Sequence, residues 1–344
     1  MAKAVETSEK AQIIRAIDLG WGYTKYSKLE PDGSIGFSGF PSLAPRHIGT
    51  DLSSSILGRR NTVIVEVDGT QYEVGPDSTD LDSNDSTRNL NEQFIYTDQY
   101  KAVFLGALSY IGEPVIDLLV VGLPLSGINQ TEKLKELAVG IHKMEGGKLV
   151  EVKDVLVLPQ PLGGLYYCLS QTESRQEFLF LEDEMNLVID PGFLTFDFLL
   201  ARGSKVIENR SGAHPGGVSK ILRAIAESVS QKFGIKYDNL SAIDRGLTKR
   251  AIKINGKPEN LEEHIRNTKS VIEGSVNYMR NIVGDGADID NIILIGGGAQ
   301  VFRKTIEEYY PNHTLISMPD PQLVNVRGYQ EAGTAYLAKK LKAC

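Results

Sequence analysis

The amino-acid sequence predicts an α/β protein made of two similar lobes. Short apolar strands alternate with amphipathic helical stretches along the 344-residue chain. One arrangement occurs twice, near residues 18 and 190: an apolar strand, an Asp-x-Gly turn, a Thr and an antiparallel return strand. Two such units facing each other would form a cleft at their strand ends, where α/β proteins commonly bind ligands.

The first lobe opens with a meander of three short strands. Residues 13–17 form a β-branched run that ends at the tight turn Asp18 to Gly22. The next strands are predicted at 23–29 and 34–40, on either side of a Pro-Asp-Gly turn. A separate hairpin is predicted around Asp68-Gly69, a dipeptide that favours a type I′ turn.

Helices and a buried strand follow the hairpin. Residues 77–93 are rich in Asp, Ser and Asn, so we expect a mobile loop in the first lobe. A helix is predicted over 101–111 and a buried strand over 118–122. Helical spacing predicts a further amphipathic helix with one apolar face, formed by Leu134, Leu137, Ala138 and Ile141.

The second lobe repeats the opening of the first. A strand over 187–189 runs into Asp190-Pro191-Gly192, and a strand over 195–201 returns from that turn. Farther along, a strand over 291–295 leads directly into Gly296-Gly297-Gly298. The repeated strand and turn pattern is the main evidence for a duplicated fold.

Two long helices and a final helix complete the second half. The first long helix starts near Val218, and the second carries apolar residues from Leu261 to Val283. A last helix is predicted over 329–341. We therefore expect a mobile tail at 1–10, a first lobe at 11–172, a second lobe at 173–325 and a C-terminal helix at 326–344 that returns to the first lobe.

Composition and charge exclude several classes of protein. The chain has 37 Lys and Arg against 44 Asp and Glu, and its net charge of −7 argues against direct nucleic-acid binding. Its two cysteines, Cys168 and Cys344, provide neither a disulfide framework nor a zinc-ligand spacing. The sequence contains no signal-peptide core and no membrane-spanning apolar run. We expect a cytoplasmic protein without membrane contact.

Three glycine turns carry the predicted chemistry. The P-loop pattern and a complete Gly-x-Gly-x-x-Gly after a strand are both missing, but Gly turns follow the strands that end near residues 18, 190 and 296. Backbone N–H groups of such turns can surround phosphate oxygens. Asp18 and Asp190 would hold the hydration shell of Mg²⁺, and Lys25 would neutralise phosphoryl charge. Alternatively, these are ordinary turns and Lys25 is a solvated strand residue.

Five segments together resemble the nucleotide motifs of the actin-like ATPases, over nearly the whole chain from Ile13. In order, the motifs phosphate one, connect one, phosphate two, adenosine and connect two are similar to Asp18 to Lys25, Gln160 to Tyr166, Asp190 to Thr195, Gly296 to Gly298, and Asn325 to Gly328. Within that superfamily the sequence looks most like the ParM/StbA plasmid-partition proteins. This closer resemblance rests on residues 96–98, 120–125 and 321–328.

The resemblance implies an actin-like fold, a duplicated ribonuclease H-like architecture with a nucleotide cleft between two lobes. It also implies an ATPase that uses ATP and Mg²⁺, with GTP left open as a second substrate. Such a protein would polymerise with itself into filaments and separate plasmid copies through a DNA-bound adaptor of the ParR type.

The resemblance also assigns the site residues. Gln160, Asp190 and Lys25 would be catalytic, with Gln160 orienting the attacking water, although a glutamine between two prolines is alternatively a surface residue. Pro191 lacks an N–H group, which would alter the grip on phosphate. The implied nucleotide contacts are Asp18, Gly20, Trp21, Gly22, Tyr23, Thr24, Lys25, Asp190, Gly192, Phe193, Thr195, Gly296, Gly297, Gly298 and Gln300.

Two other functions remain open at the level of sequence. A monomeric sugar-kinase-like phosphotransferase would need a carboxylate base above a substrate hydroxyl in the cleft. A nucleotide-gated scaffold of the same superfamily would bind ATP and hydrolyse it slowly. Both would share the predicted fold, so they differ from the filament hypothesis in chemistry and assembly only.

Overall fold

The computed structural model of the protein describes residues 12–49, 60–81, 93–171 and 181–343. The predicted tail at 1–10 lies outside these residues. The predicted mobile loop at 77–93 is described at its two ends only. Its first residues belong to a 3₁₀ helix, Pro76–Asp80, in which Ser78 is buried, so the loop prediction is wrong for that part.

Strands and helices alternate along the described chain. The strands are β1 (Ile14–Leu19), β2 (Tyr23–Leu29), β3 (Ile35–Pro41), β4 (Val63–Val67), β5 (Thr70–Val74), β6 (Val115–Ile116), β7 (Leu118–Leu123), β8 (Gly140–Lys143), β9 (Leu149–Val152), β10 (Val155–Pro159), β11 (Met185–Pro191), β12 (Phe196–Arg202), β13 (Lys205–Val206), β14 (Gly212–His214), β15 (Ala251–Ile254), β16 (Lys257–Asn260), β17 (Asn291–Leu294) and β18 (Leu315–Ser317). The α-helices are α1 (Asp98–Ile111), α2 (Thr131–Ala138), α3 (Gln160–Ser170), α4 (Val218–Phe233), α5 (Leu240–Lys249), α6 (Glu262–Arg266), α7 (Lys269–Val283), α8 (Ala299–Tyr309) and α9 (Val324–Ala343).

Each lobe is centred on one mixed sheet, and the two sheets share a topology. The first has the strand order β10-β7-β1-β2-β3, and the second has β13-β12-β11-β17-β18 with β14 also paired to β12. In each, a central strand pairs antiparallel with the next strand and parallel with a later one: β1 with β2 and β7, β11 with β12 and β17. The predicted duplicated α/β fold is confirmed.

The hairpin of β4 and β5 shows how local sequence chemistry determines a turn. Asp68 has φ 48° and Gly69 has φ 79°. A type I′ turn needs positive φ at both central residues, which Asp and Gly tolerate better than most residues. The predicted hairpin is therefore confirmed, with Val65 and Val67 facing the core of the first lobe.

Four elements differ from the sequence prediction or were not predicted. Helix α2 ends at Ala138, because Gly140 takes φ 129° and starts the edge strand β8; Ile141 is 69% exposed there instead of lying on the helix. The long helix expected to Val283 is broken at Asn267 and Thr268 into α6 and α7. The hairpin of β15 and β16 was not predicted, and the last helix begins earlier, at Val324.

Helices α3 and α9 cross where the two sheets approach each other. Helix α9 packs on β1, β7 and β2 of the first sheet and against α3, while α3 also contacts β11 and β12 of the second. The crossing is close, since a Cβ atom on Gly328 would overlap the backbone carbonyl of Gly163. The two helices thereby bring the ends of both sheets to one cleft.

Candidate active site

A cleft of about 620 Å³ lies between the lobes, at the turns that follow β1, β11 and β17. The turns come at the carboxyl ends of strands β1 and β11, each of which has a parallel neighbour, and this is where open α/β sheets bind ligands. Three segments far apart in sequence therefore line one cavity. The lining residues from the sequence prediction are Asp18, Gly20, Trp21, Gly22, Tyr23, Lys25, Gln160, Asp190, Gly192, Phe193, Thr195, Gly296, Gly297 and Gly298.

Asp18 is the carboxylate of the first lobe. It is the penultimate residue of β1 and is only 2% exposed. Lys25, directly opposite on β2, places its Nζ 2.9 Å from Asp18 Oδ2. Gln160 donates from Nε2 to Asp18 Oδ1 at 3.0 Å. The Asp18 carboxylate therefore has a cation on one oxygen and an amide donor on the other.

Gln160 is buried, which removes the alternative of a surface glutamine. It is the first residue of α3, and Pro161 follows at a position where a missing N–H costs a helix nothing. The strand β10 ends at Pro159, so the change from strand to helix directs the Gln160 side chain into the cleft. It is thus placed beside Asp18 in the cleft.

Asp190 is the carboxylate of the second lobe, at the end of β11. Its Oδ2 accepts a hydrogen bond of 2.6 Å from Nδ2 of Asn325. Burial raises the pKa of Asp190 to about 7, and the neighbouring carboxylate of Asp197 adds to the rise. Metal-free protein therefore holds this group at the boundary between its neutral and charged forms near pH 7.

Asp197 lies directly opposite Asp190 on β12 and is held from both lobes. The hydroxyl of Thr195 donates to its Oδ2, and the backbone N–H of Leu125 in the first lobe donates to Oδ1 at 2.9 Å. Burial raises the pKa of Asp197 to about 6. Asp197 accepts hydrogen bonds from both lobes and is not among the residues that line the cleft, so it acts as a cross-lobe anchor.

The third turn, at Gly296, requires glycine for two reasons. Gly296 has φ 83°, and a Cβ atom there would overlap Asp190 Oδ1. The N–H groups of Gly192, Gly296 and Gly298 donate to backbone carbonyls of Thr195, Pro321 and Pro191 respectively. These three N–H groups already donate within the protein, so they are not among the exposed turn N–H groups predicted to surround phosphate.

Comparison with known proteins relates both halves of the chain to actin-like domains. Residues 16–163 match the family model described as the N-terminal domain of actin-like proteins. Residues 188–308 match that of the archaeal actin homologue MreB-like C-terminal domain. Each half of the chain is therefore similar to a domain of actin-like proteins. No curated protein matches the chain by sequence.

Solved structures of actin-like proteins superpose over nearly the whole chain. A non-polymerisable quadruple mutant of pCBH ParM has a TM-score of 0.76 at 21% identity and covers 94% of this chain and 100% of its own. An archaeal actin homologue in complex with ADP has a TM-score of 0.71 at 18% identity, and the match covers 94% of this chain and 100% of the homologue. The subunit of a 15-stranded ParM filament from Clostridium botulinum has a TM-score of 0.73 at 19% identity, and the match covers 95% of this chain and 100% of that subunit. At these identities the likeness establishes the actin-like fold.

Two predicted nucleotide contacts do not line the cleft of this actin-like chain. Successive residues of a strand point to opposite faces, so Tyr23 and Lys25 face the cleft while Thr24 is buried in the lobe and bonds Ser42 at 2.8 Å. Gln300 is exposed, because the buried face of α8 is formed by Ala299, Phe302, Thr305 and Ile306. Both predictions are corrected.

The structure adds residues that the sequence analysis did not assign. Some come from the outer part of the cleft, where α5 and the 3₁₀ helix Pro76–Asp80 approach it from opposite lobes. The motif around Asn325 was recognised, but its side chain was not placed in the site. The added lining residues are Pro41, Thr79, Val218, Ser241, Asp244, Arg245, Gln322 and Asn325. Short polar motifs on α5 carry no distinctive spacing that would have revealed them.

The donor set fits a water-coordinated Mg²⁺ better than a protein-enclosed metal. In the part of the chain that the structure describes, His, Cys, Asp and Glu side chains form no group of three suited to hold a metal. Asp18 and Asp190 nevertheless face one cleft from opposite lobes. Mg²⁺ usually binds proteins through one or two carboxylates, with waters and substrate phosphates as its other ligands.

None of the helices in the described ranges combines the length and the apolar composition that crossing a membrane requires.

Proposed function

We propose that this actin-like protein binds Mg²⁺-ATP in the cleft and hydrolyses it. The observation that carries the proposal is the convergence of Asp18, Lys25 and Gln160 from the first lobe with Asp190 from the second. Phosphoryl transfer needs positioned charge and an oriented nucleophile more than a strong base. These four side chains provide both at one point.

Each residue has a distinct proposed task. Gln160 orients the attacking water, since its amide can hold a water while Asp18 fixes the side chain. Lys25 offsets negative charge on the transferred phosphoryl group. Asp18 and Asp190 would hold Mg²⁺ through its water ligands, and the bound ion would neutralise phosphate charge. Asp190 would then be held in its ionised form, since a nearby cation lowers a carboxyl pKa.

We further propose that nucleotide binding drives the chain to assemble with itself into filaments. Two structural relatives support this: one is a ParM filament from Clostridium botulinum, and the other is a filament of Alp12. The site is made by both lobes, so a bound nucleotide would hold them closed and fix the surfaces that meet in a polymer. Hydrolysis would then weaken the subunit contacts.

The cellular role we propose is segregation of plasmid DNA through a DNA-bound adaptor of the ParR type. Its support is the ParM-like sequence stretches and the ParM relatives. A net charge of −7 favours contact with DNA through an adaptor over direct binding. Such a protein would act in the cytoplasm, and the role needs no membrane anchor.

Phosphate release and acceptor dependence separate an ATPase from a sugar kinase. Purified protein is incubated with ATP and Mg²⁺, with and without a mixture of hexoses, and released phosphate and phosphorylated sugar are both measured. The proposal predicts phosphate release that hexoses leave unchanged. ADP formation only with a sugar, accompanied by sugar phosphate, would overturn it in favour of the kinase.

A pelleting assay tests the adaptor hypothesis. Assembled protein is sedimented with plasmid DNA alone and with DNA plus a DNA-binding adaptor of the ParR type. We expect DNA in the pellet only when the adaptor is present. DNA that pellets equally well without the adaptor would contradict indirect binding.

A further inference from the structure

The Asn325 side chain forms two hydrogen bonds across the crossing of α3 and α9. Its Nδ2 donates to Asp190 Oδ2 at 2.6 Å, and its Oδ1 accepts from the backbone N–H of Gly164 at 3.1 Å. Both hydrogen bonds are buried, and Asn325 itself is 6% exposed. One short side chain thereby joins the carboxylate at the end of β11 to the middle of α3.

The chemistry of the two partners explains why an amide occupies this place. An ionised carboxylate only accepts hydrogen bonds, and a backbone N–H only donates. A bridging side chain must therefore present a donor to Asp190 and an acceptor to Gly164 within a short span. Asn satisfies both, whereas Asp offers only acceptors and Leu, of similar size, offers neither. When Asp190 is ionised, as proposed for the cation-bound site, this bond is charge-assisted and about twice as strong as a neutral one.

The second bond ends on the helix that starts with Gln160. Gly164 lies four residues after Gln160, about one helical turn along α3. The helix is rigid over this distance, and its close packing on α9 leaves little room, since a Cβ atom on Gly163 would overlap the ring of Tyr329 in α9. A hydrogen bond that fixes Asn325 relative to Gly164 therefore also fixes Asn325 relative to Gln160.

We propose that Asn325 is a positioning residue that holds the Asp190 carboxylate at a fixed place relative to Gln160. This inference rests on the proposed ATP hydrolysis. Asn325 touches neither the water nor the phosphate in this account; it acts through Asp190 and α3. Misplacement by 1 Å in a catalytic site can cost about a hundredfold in rate, so the effect should fall on turnover rather than on nucleotide affinity.

Gln330 supplies a matched control on the same helix. It is a buried amide that also bridges two groups, accepting from the hydroxyl of Ser27 at 2.8 Å and donating to the carbonyl of Ile14 at 3.3 Å. Both partners belong to the first lobe, on β1 and β2. Gln330→Leu thus removes a comparable pair of buried hydrogen bonds without touching Asp190 or α3.

The test compares Asn325→Leu with Gln330→Leu in three measurements on the full chain: melting temperature, ADP affinity by calorimetry, and the kcat and KM of phosphate release from Mg²⁺-ATP. We expect both variants to lose thermal stability. For Asn325→Leu we expect kcat to fall by about ten- to a hundredfold with ADP affinity and KM changed by less than about threefold. For Gln330→Leu, kcat should stay within about threefold.

Two results would overturn the inference: an equal loss of kcat in both variants, or a loss of ADP affinity in Asn325→Leu as large as its loss of kcat. Asn325→Asp covers the case in which the leucine variant does not fold, because it keeps the shape and the acceptor for Gly164. Its kcat should still fall at least about tenfold, since the neutral amide donor is replaced by a second carboxyl group that repels Asp190 or shares a proton with it. Unchanged kcat in that variant would contradict positioning. If the wild-type chain releases no phosphate, the proposed hydrolysis itself is wrong.

Discussion

Asp18 and Asp190 occupy equivalent positions in the two lobes, but the residues opposite them carry opposite charges. Each aspartate lies near the end of the central strand of its sheet, and each accepts a hydrogen bond from a carboxamide, Gln160 or Asn325. Across the antiparallel pair, however, Asp18 faces Lys25 and Asp190 faces Asp197. The shared backbone topology gives the two lobes one geometry, and a single cross-strand residue gives them different electrostatics.

The difference indicates how the two carboxylates divide their work. The ion pair with Lys25 supplies Asp18 with a positive charge from the protein. Asp190 faces a like charge, and its pKa is raised to about 7 by burial and by Asp197. Of the two carboxylates, Asp190 is therefore the one that an external cation would stabilise more.

Removal of Asp190 should have the largest effect. Asp190→Ala deletes the carboxylate that we expect to respond to Mg²⁺, and phosphate release should become undetectable in a coupled assay. Asp18→Ala serves as the comparison, because its loss leaves Lys25 as a local positive charge. If Asp190→Ala turned over ATP at the wild-type rate, the second-lobe carboxylate would have no part in hydrolysis.

Gln160→Ala should come next. Loss of one positioned hydrogen-bonding group near a developing charge typically lowers kcat by about a hundredfold or more. ADP affinity should change far less, since Gln160 contacts Asp18 in the structure and is proposed to act on water. Calorimetry and steady-state kinetics on the same preparation check this. Parallel losses of affinity and kcat would assign Gln160 to nucleotide binding.

Lys25→Met makes the first lobe resemble the second by removing the cation beside Asp18. Breaking a buried ion pair leaves an uncompensated charge and typically costs about 3 kcal/mol or more of stability. We expect a lower melting temperature and about tenfold weaker Mg²⁺-ADP binding in calorimetry, the latter because the cleft becomes more negative. Lys28→Met, on the outer part of the same strand, is the control. Equal melting temperatures and equal Mg²⁺-ADP affinities in the two variants would show that the Asp18–Lys25 ion pair contributes to neither stability nor nucleotide binding.

The pH dependence of stability should differ between wild type and Asp190→Asn in metal-free buffer. The pKa of Asp190 rises from 3.8 to about 7 on folding, so between these pH values the folded state holds a proton that the unfolded chain has lost. The stability from this proton is full below about pH 4 and is lost as the pH rises to about 7. Relative to Asp190→Asn, the wild-type melting temperature should fall by a few degrees over this range. If the difference in melting temperature between wild type and Asp190→Asn stayed constant over this pH range, the raised pKa of Asp190 would be contradicted.

Much of this site could be predicted from sequence because its parts are local. The strand, Asp-x-Gly turn and return strand at Asp18 and at Asp190 each form within about fifteen residues, and strand alternation and turn chemistry determine them. The cross-strand partner of Asp18 lies only seven residues away, so Lys25 was within reach of the same argument. Thr24 was misplaced because the motif was taken as a whole, without the alternation of side chains along β2.

The remaining features depend on contacts between distant parts of the chain. Asn325 reaches Asp190 across 135 residues, and Asp197 meets the N–H of Leu125 across 72. The helical spacing also extends to Ile141, although α2 ends at Ala138, because an apolar residue on the exposed edge strand β8 keeps that spacing by chance. Sequence patterns report neither tertiary hydrogen bonds nor the burial that raises the pKa of Asp190.

Right-angle light scattering with simultaneous phosphate detection tests the central claim most directly. Purified wild-type protein is followed after addition of Mg²⁺-ATP over a wide range of protein concentration and salt, with Mg²⁺-ADP and the Asp190→Ala variant as controls. The account predicts that scattering rises with ATP above a threshold concentration and that phosphate release follows, with no sustained rise in ADP. Phosphate release without any rise in scattering under all these conditions would contradict a filament-forming ATPase.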